Sequence, residues 1–478
     1  MTSGEVRVNQ RDYALGKAVQ LATVAALGGF LFGYDTAVIN GAVTPMREKF
    51  GTGPFLTGFT VSSALLGCVV GAYLAGRLAE RLGRIRVMVI AAILFVISAV
   101  GSGLAVGPWD LIVWRVIGGV GVGAASVIAP AYIAEISPAR IRGRLGSLQQ
   151  MAIVTGIFIA LLTNYFLASI AGGAANELWF GLAAWRWMFI AEVIPAALYG
   201  VLALTIPESP RYLVSLGREE TAREVLGRVM RTGISERIEE IKRTVRIEAR
   251  SSVRDLIHPE RGGLLPIVWI GIGLSVLQQF VGINVIFYYS ATLWQSVGFT
   301  EQDALAQTVI TSVTNIVVTI VAIALIDTIG RRVLLLIGSV GMTVTLGVLA
   351  WIFANADRVP QVDDLGVETM VPVLSDQAGL IALIAANGFV VFFGMSWGPA
   401  VWVLLGEMFN NRIRATALGV AAATQWLANF AISTSFPVFA DISLGFAYGF
   451  YTFFALVSVF FVLKLVPETT NRELEDMD

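Results

Sequence analysis

The chain has 478 residues, of which 56% are hydrophobic and only 14% charged, and its mean hydropathy is +0.75. A soluble globular protein carries about a quarter charged residues, so this composition is typical of a protein with many membrane-spanning segments. The formal net charge of −1 gives no support to nucleic-acid binding, which requires a basic surface. Cys68 is the only cysteine and His258 the only histidine, which excludes an intrachain disulfide and a thiolate metal cluster. We expect no metal and no cofactor.

Windows of about 20 apolar residues mark membrane-spanning helices. The sequence contains about twelve such windows, six on each side of a polar interval. They cover, roughly, residues 18–40, 56–79, 86–107, 110–134, 145–168, 186–206, 264–294, 303–326, 333–355, 378–408, 414–434 and 445–466. The sequence therefore predicts an all-α membrane protein with twelve transmembrane helices.

The polar interval divides the chain into four parts: a six-helix bundle over 1–206, a cytoplasmic helical linker over 207–262, a second six-helix bundle over 263–466, and a cytoplasmic tail over 467–478. Apolar residues recur at helical spacing in the linker, which predicts two or three short amphipathic helices against one membrane face. These residues are Val225, Val229, Ile238, Ile241 and Val245. The linker is either a solvated connection or part of a gate.

Arginines follow the even-numbered spans, as at Arg77, Arg140 and Arg331, whereas the opposite loops are acidic or nearly neutral. Basic loops stay in the cytoplasm, so we expect both termini there and a multi-pass protein of the inner (plasma) membrane. The two halves also repeat each other. "AEISPARIR" (134–142) matches "GEMFNNRIR" (406–414), each with a glutamate seven residues before the final arginine. Parallel repeats of this kind are typical of alternating-access carriers.

Asp35 lies within the first predicted span and Arg115 within the fourth. An ionisable residue at membrane depth is costly, so we expect a functional pair, with surface snorkelling as the alternative for Arg115. If alternating access changes the solvation of Asp35 or its distance from Arg115, the carboxylate takes up a proton on one side and releases it on the other. Asp35 and Arg115 are therefore the predicted proton-coupling site.

The other polar groups within the spans are mostly amides, accompanied by tryptophans. Each amide offers a donor and an acceptor, which suits the hydroxyls of a neutral sugar, and tryptophan faces suit a pyranose ring. For Asn315 and Asn429, hydrogen bonding between helices is an equal alternative. The spans hold no histidine and the chain no phosphate-binding loop, so we do not expect an enzyme. The residues are Gln150, Gln278, Gln279, Asn284, Asn315, Gln425, Asn429, Trp397, Trp402 and Trp426.

The stretch "QQFVGINVIFYY" (278–289) combines amides, a glycine and two tyrosines. In a regular helix Asn284 would point about 240° away from Gln278, so both reach one ligand only if the helix breaks near Gly282. We expect such a break here, and a second at "SWGP" (396–399), because irregular backbone at membrane depth lines cavities. Gly282 with Tyr288 and Tyr289 would form an outer gate; interfacial anchoring is the alternative for the tyrosines.

Several motifs occur in order along nearly the whole chain: "GYD" (33–35), "PESPR" (207–211), "QQFVGIN" (278–284), "DTIGRR" (327–332) and "GEMFNNRIR" (406–414). With these motifs the chain resembles the sugar porters of the major facilitator superfamily, especially actinobacterial glucose permeases and proton-coupled sugar symporters. The resemblance implies the major facilitator fold and transport of a monosaccharide by alternating access. Glu80 stands where the family usually has aspartate, which preserves the charge.

The resemblance also assigns residues. It implies sugar contacts at Gln150, Gln278, Gln279, Asn284, Asn315, Trp397 and Gln425, with Phe32 and Trp402 lining the cavity, and to these we add Asn429. Some pentose-transporting members carry glutamine where this chain has Ile157, which favours a hexose. The resemblance further implies ion pairs that join the two bundles at the cytoplasmic ends of helices when the carrier is open outward. The alternative is that the arginines only keep these loops in the cytoplasm. The charged set is Arg77, Arg84, Glu135, Arg142, Glu208, Arg211, Asp327, Arg331, Glu407 and Arg414.

We therefore expect a secondary active transporter that imports a monosaccharide, D-glucose before galactose or xylose, coupled to proton symport through Asp35. The alternatives are an uncoupled facilitative uniporter and a sugar receptor that does not transport. The expected partners are the sugar, the proton and membrane lipid, and the chain is expected to work as a monomer.

Overall fold

The computed structural model describes residues 14–137, 142–248, 253–257, 262–362, 368–409 and 413–467. The first half consists of eight helices: α1 Leu15–Val38, α2 Val43–Phe50, α3 Pro54–Leu82, α4 Arg84–Leu104, α5 Pro108–Ile136, α6 Arg142–Ala171, α7 Ala184–Ile190 and α8 Val193–Ala203. The linker contains α9 Pro210–Ser215, α10 Glu219–Gly227 and α11 Ile234–Glu248, followed by a 3-10 turn at Val253–Leu256. The second half contains α12 Pro266–Phe280, α13 Ile283–Ser296, α14 Glu301–Ile329, α15 Arg331–Ala354, α16 Asp376–Met395, α17 Trp397–Met408, α18 Arg414–Ile442 and α19 Leu444–Leu465.

Eleven segments of the described chain are long and apolar enough to cross a membrane, and α18, a 29-residue helix, lies alongside them. Three of these segments are interrupted. The breaks at Gly282 and Ser396 agree with the prediction from "GIN" and "SWGP". The third break, between α7 and α8, was not predicted. Pro195, one turn after Ala191, has no N–H to donate, so the Ala191 carbonyl loses its helical hydrogen bond at this point.

Local sequence explains several helix starts. Proline occupies the first turn of α3, α5 and α12, where its missing N–H costs nothing. The Thr300 and Ser375 side chains accept backbone N–H groups at the starts of α14 and α16.

Two short antiparallel hairpins were not predicted. β1 (Glu177–Trp179) pairs with β2 (Leu182–Ala183), and β3 (Asp357–Val362) pairs with β4 (Glu368–Val373). Both connect spans on the face opposite the linker. We call this side the hairpin face and the other side the linker face. The hairpins are the one departure from the expected all-α architecture in the part of the chain that the structure describes.

Glycines let the helices of the first half approach closely. A Cβ atom on Gly119 of α5 would lie 1.8 Å from the Ala64 carbonyl oxygen of α3, and one on Gly123 would lie 2.2 Å from Cys68 O. Small residues at such crossings are how membrane helices gain packing energy without a hydrophobic driving force. The result is a tight α3–α5 pair that carries Arg115 into the interior.

The linker forms a small core of its own from Leu213, Val225, Leu226, Ile238 and Ile241, as their spacing predicts. It contacts the first half at Val229, whose carbonyl accepts the Ala14 N–H (3.0 Å). His258 and residues 468–478 lie outside the described residues, as does the side chain of Val245.

Candidate binding site and buried charges

Asp35 on α1 and Arg115 on α5 form an ion pair inside the first half. Arg115 Nη1 lies 3.2 Å from Asp35 Oδ1 and donates to the Asp35 backbone oxygen (2.9 Å), and both side chains are 2% exposed. A Cβ on Gly118 would lie 3.2 Å from Asp35 Oδ1, so glycine at 118 makes room for the carboxylate. Arg115 is thus buried rather than snorkelling to the surface.

A second buried carboxylate, which was not predicted, interacts with this pair. Glu192, at the break between α7 and α8, is 1% exposed and interacts electrostatically with Asp35 and Arg115. Two carboxylic acids and one guanidinium leave one excess negative charge when both acids are ionised. An uncompensated charge in an apolar interior is costly, so this excess of acidic groups disfavours ionisation of both carboxyls at once. An acidic residue inside an apolar span is the signal that could have found it.

The amides of "QQFVGIN" form a connected chain around the Gly282 break. Gln278 Nε2 donates to Trp397 O (2.7 Å), Gln279 Nε2 to Gln278 Oε1 (3.4 Å), and Asn284 Nδ2 to Gln279 Oε1 (2.5 Å). Gly282 adopts a left-handed conformation (φ 82°), which lets α13 start in a new direction and turns Asn284 back toward Gln279. The break therefore brings Gln278, Gln279 and Asn284 together.

Further candidate residues come from α14 and α18. Gln425 Oε1 is buried and has no hydrogen-bond partner among the described residues. Asn429 accepts from Ser433 Oγ (3.0 Å) and donates to the Tyr288 hydroxyl (3.5 Å). Asn315 is buried on α14 beside Gly394. We call Gln278, Gln279 and Asn284, which hydrogen bonds join, the amide cluster, and we keep Gln425 and Asn429 of α18 as further candidate sugar contacts.

The two tryptophans predicted for the sugar site have different surroundings. Trp397 is fully buried, and its indole N–H donates to Leu335 O (3.1 Å) and Ser339 Oγ (2.9 Å), so the ring packs inside the second half. Trp397 contacts the amide cluster through its backbone oxygen, which accepts from Gln278. Trp402 is 42% exposed.

Phe32 and Gln150 are the candidate sugar contacts from the first half. Phe32 packs on Trp426 across the two halves, with ring centroids 5.5 Å apart. Gln150 is half-buried on α6. Trp426 is thus a bridging residue to which the sequence analysis gave no separate role.

The two halves are joined on the hairpin face. Asn40, just after α1, donates to Phe287 O (2.8 Å) and Ser290 Oγ (3.0 Å), and its Oδ1 accepts the Ala291 N–H (3.2 Å). Further bonds link Thr44 with Thr292 (3.1 Å), Ser62 with Thr434 (2.6 Å) and Ala174 N with Glu301 (2.9 Å). The site is closed toward this face.

The predicted gate tyrosines lie within this closed region. Tyr288 and Tyr289 are both buried, which disagrees with interfacial anchoring. Tyr289 also lines a cavity of about 460 Å³ that opens on the hairpin face, together with Arg47, Ser296 and Asp441.

Two ion pairs at the linker face each join residues of one half. In the first half Arg84 bonds Glu135 (2.7 and 3.0 Å), which also accepts from Ser209 of the linker and lies 3.9 Å from Arg211 of the linker. In the second half Arg331 bonds Glu407 (2.9 Å). These pairs do not join the bundles, whereas the resemblance implied ion pairs between them.

Two other members of the charged set have different contacts. Glu208 accepts the N–H groups of Arg84 and Ile85 at the start of α4 (3.0 and 3.2 Å). Arg77 lies over the Tyr73 ring. The side chains of Arg142, Asp327 and Arg414 lie outside the described residues.

Comparison with known proteins identifies relatives along the whole chain. The family model described as "Sugar (and other) transporter" matches residues 21–478. A glucose transport protein of Synechocystis sp. is 59% identical, with 96% of each chain covered. The D-xylose-proton symporter of Escherichia coli is 38% identical over 96% of this chain and 94% of its own. The partially occluded inward-open structure of the E. coli xylose transporter XylE has a TM-score of 0.81 at 37% identity and covers 96% of this chain and 100% of its own.

Proposed function

The chain belongs to the sugar transporter family of the major facilitator superfamily, and from that premise we propose that it imports D-glucose together with a proton. The chain is a multi-pass membrane protein with the twelve-helix fold of that superfamily, and it transports a sugar rather than catalysing a reaction. The substrate, the coupling and the orientation are the proposed parts.

The amide cluster supports a neutral hexose as the substrate. Gln278, Gln279 and Asn284 present carboxamides that both donate and accept, which is what a ring of hydroxyl groups needs. The buried acceptor Gln425 Oε1 provides a place for one more hydroxyl donor. The Synechocystis relative is named for glucose transport, and Ile157 replaces the glutamine of some pentose carriers, so we favour glucose over galactose and xylose.

Proton coupling rests on one observation: Asp35, Arg115 and Glu192 are buried together with more acidic than basic groups. In the state described here the three side chains are closed off from water, and a proton balances their charge. Opening on either face changes their hydration and therefore the cost of ionising the carboxylates. A proton bound on one side is then released on the other, and thermodynamic linkage ties this release to the sugar.

The arginines support an orientation with the linker face in the cytoplasm and the hairpin face outside. On this assignment the contacts of Asn40 and Thr44 close the outer side, which supports an inward-facing state. The similarity to the partially occluded inward-open structure of XylE supports the same state. Nothing in the transport cycle proposed here requires a second copy, so we propose that the monomer transports.

The test is uptake by purified protein in liposomes with an acidic exterior. We expect labelled D-glucose to accumulate above its external concentration, and unlabelled glucose to compete better than galactose or xylose. A protonophore should reduce the internal concentration to the external one. Equilibration without accumulation would identify a uniporter, and binding without uptake a receptor; either result would contradict the proposal.

A further inference from the structure

Two buried serines that were not predicted to have a role join α15 to α19 beside Trp397. The hydroxyl oxygens of Ser339 on α15 and Ser458 on α19 are 2.8 Å apart, and both side chains are fully buried. The Ser339 hydroxyl also accepts the indole N–H of Trp397 (2.9 Å), the first residue of α17. The serine pair therefore ties the tryptophan to two other helices of the second half.

The Ser339 hydroxyl is the better of the two acceptors that the indole N–H has. The other acceptor, Leu335 O, lies farther away (3.1 Å), and it also takes part in the backbone hydrogen bonding of α15. A buried N–H without a good acceptor is costly in an apolar interior. The serine hydroxyl therefore keeps the indole of Trp397 in one orientation.

The backbone of α15 also lies directly against the break between α16 and α17. Gly338, the neighbour of Ser339, has no room for a Cβ atom, because it would overlap the Ser396 hydroxyl at the break. Ser396 in turn donates to Phe392 O in the last turn of α16 (2.6 Å). The position of α15 therefore determines where α17 begins, and Ser339 is the residue of α15 that reaches the Trp397 side chain.

Trp397 in turn orients the amide cluster. Its backbone oxygen can only accept, so Gln278 turns its NH₂ group toward it (2.7 Å) and leaves Oε1 for Gln279. Gln279 then donates to Gln278, and its own oxygen accepts from Asn284. The directions of all three amides therefore depend on the position of the Trp397 backbone oxygen.

We propose that Ser339 and Ser458 are positioning residues for the sugar site: they fix the Trp397 indole, and its backbone oxygen then fixes the orientation of the amide cluster. Amides that are already held in the binding orientation lose less conformational freedom when a sugar binds. The serines thus raise the affinity for sugar without contacting it. This inference rests on the proposed function, in which the amide cluster binds glucose.

The test is the concentration dependence of D-glucose uptake in liposomes. For Ser339→Ala we expect KM to rise about fivefold, the typical effect of one net hydrogen bond, while the maximal rate is kept. Ser458→Ala keeps the bond between Ser339 and Trp397, so KM should rise less. The matched control is Ser63→Ala: Ser63 is fully buried on α3, bonds only within its own turn (Thr60 O, 2.8 Å), and its loss should leave KM unchanged.

A double-mutant cycle shows whether the serine acts through the indole. Trp397→Phe removes the indole N–H, so adding Ser339→Ala to it should raise KM no further. An equal rise in that background, or the same rise in Ser63→Ala, would overturn the inference, because the loss of a buried hydroxyl would then act on the fold in general. Parent KM in Ser339→Ala would overturn it as well. A parent chain without saturable glucose uptake would overturn the proposed substrate and this inference with it.

Discussion

At the scale of single residues, the sequence predicts that Asp35 and Arg115 are buried, but it does not predict that Glu192 lies with them. Asp35 and Arg115 stand out because charges are rare in apolar spans. Glu192 has the same signal, yet the sixth span was interpreted as one continuous apolar helix. The break at Ala191–Glu192, where the missing N–H of Pro195 removes one helical hydrogen bond, places Glu192 at a turn within an apolar span.

Glu192→Gln should uncouple the carrier. Glutamine keeps the shape of the side chain but leaves Asp35 and Arg115 as a neutral pair that needs no proton for charge balance. We expect the glucose accumulation ratio in liposomes to approach one and to lose its dependence on external pH, while exchange continues. The control is Glu177→Gln, an exposed acidic residue of β1. A Glu192→Gln carrier that accumulates glucose like its parent would remove Glu192 from the proton site.

At the scale of elements, the breaks at Gly282 and "SWGP" could be predicted because glycine and proline interrupt the regular backbone of a helix. The hairpins β1–β2 and β3–β4 could not be predicted this way, because they are short loops outside the apolar periodicity. Trp397 shows a different limit. Its position beside the break is evident from the sequence, but its burial against Leu335 and Ser339 depends on how α15 packs.

Gly282→Ala tests whether the break at Gly282 is a hinge on which α13 tilts. Alanine in the left-handed conformation costs about 1–2 kcal/mol, and its Cβ would lie 2.8 Å from the Tyr451 ring. We expect the loss of transport to exceed the loss of stability, with glucose uptake about tenfold lower, because the contact with Tyr451 also hinders the tilting of α13. Gly298→Ala, at the other end of α13, carries a similar backbone penalty (φ 102°) and should lower thermal stability with little loss of rate. Equal effects of both variants on uptake would argue against a hinge at Gly282.

At the scale of the whole molecule, internal repeats and arginine placement predict two six-helix halves, and the structure and its relatives confirm the fold. The conformational state could not be predicted, because one sequence folds into every state of the cycle. The ion pairs at the linker face illustrate this. Glu135 and Glu407 pair within their own halves here, and pairing between the bundles remains a prediction for the outward-open state.

Asn40→Ala should shift the population toward outward-open. The side chain makes three buried hydrogen bonds to α13, worth about 1 kcal/mol each, and an alanine makes none of them. A cysteine introduced by Ser296→Cys, in the cavity of the hairpin face, should then react faster with an impermeant maleimide. Asn355→Ala is the control, since Asn355 bonds only within its own turn (Trp351 O, 2.8 Å). An unchanged labelling rate in Asn40→Ala would show that these bonds do not hold the outer side closed.

The central claim is that glucose enters with a proton carried at Asp35. The most direct measurement is the external pH of a weakly buffered suspension of cells that express the chain, recorded as D-glucose is added. We predict a transient alkalinisation that a protonophore abolishes, and none for Asp35→Asn, which should still exchange labelled glucose. Alkalinisation of equal size with Asp35→Asn, or accumulation of glucose by the parent chain without any pH change, would contradict the claim.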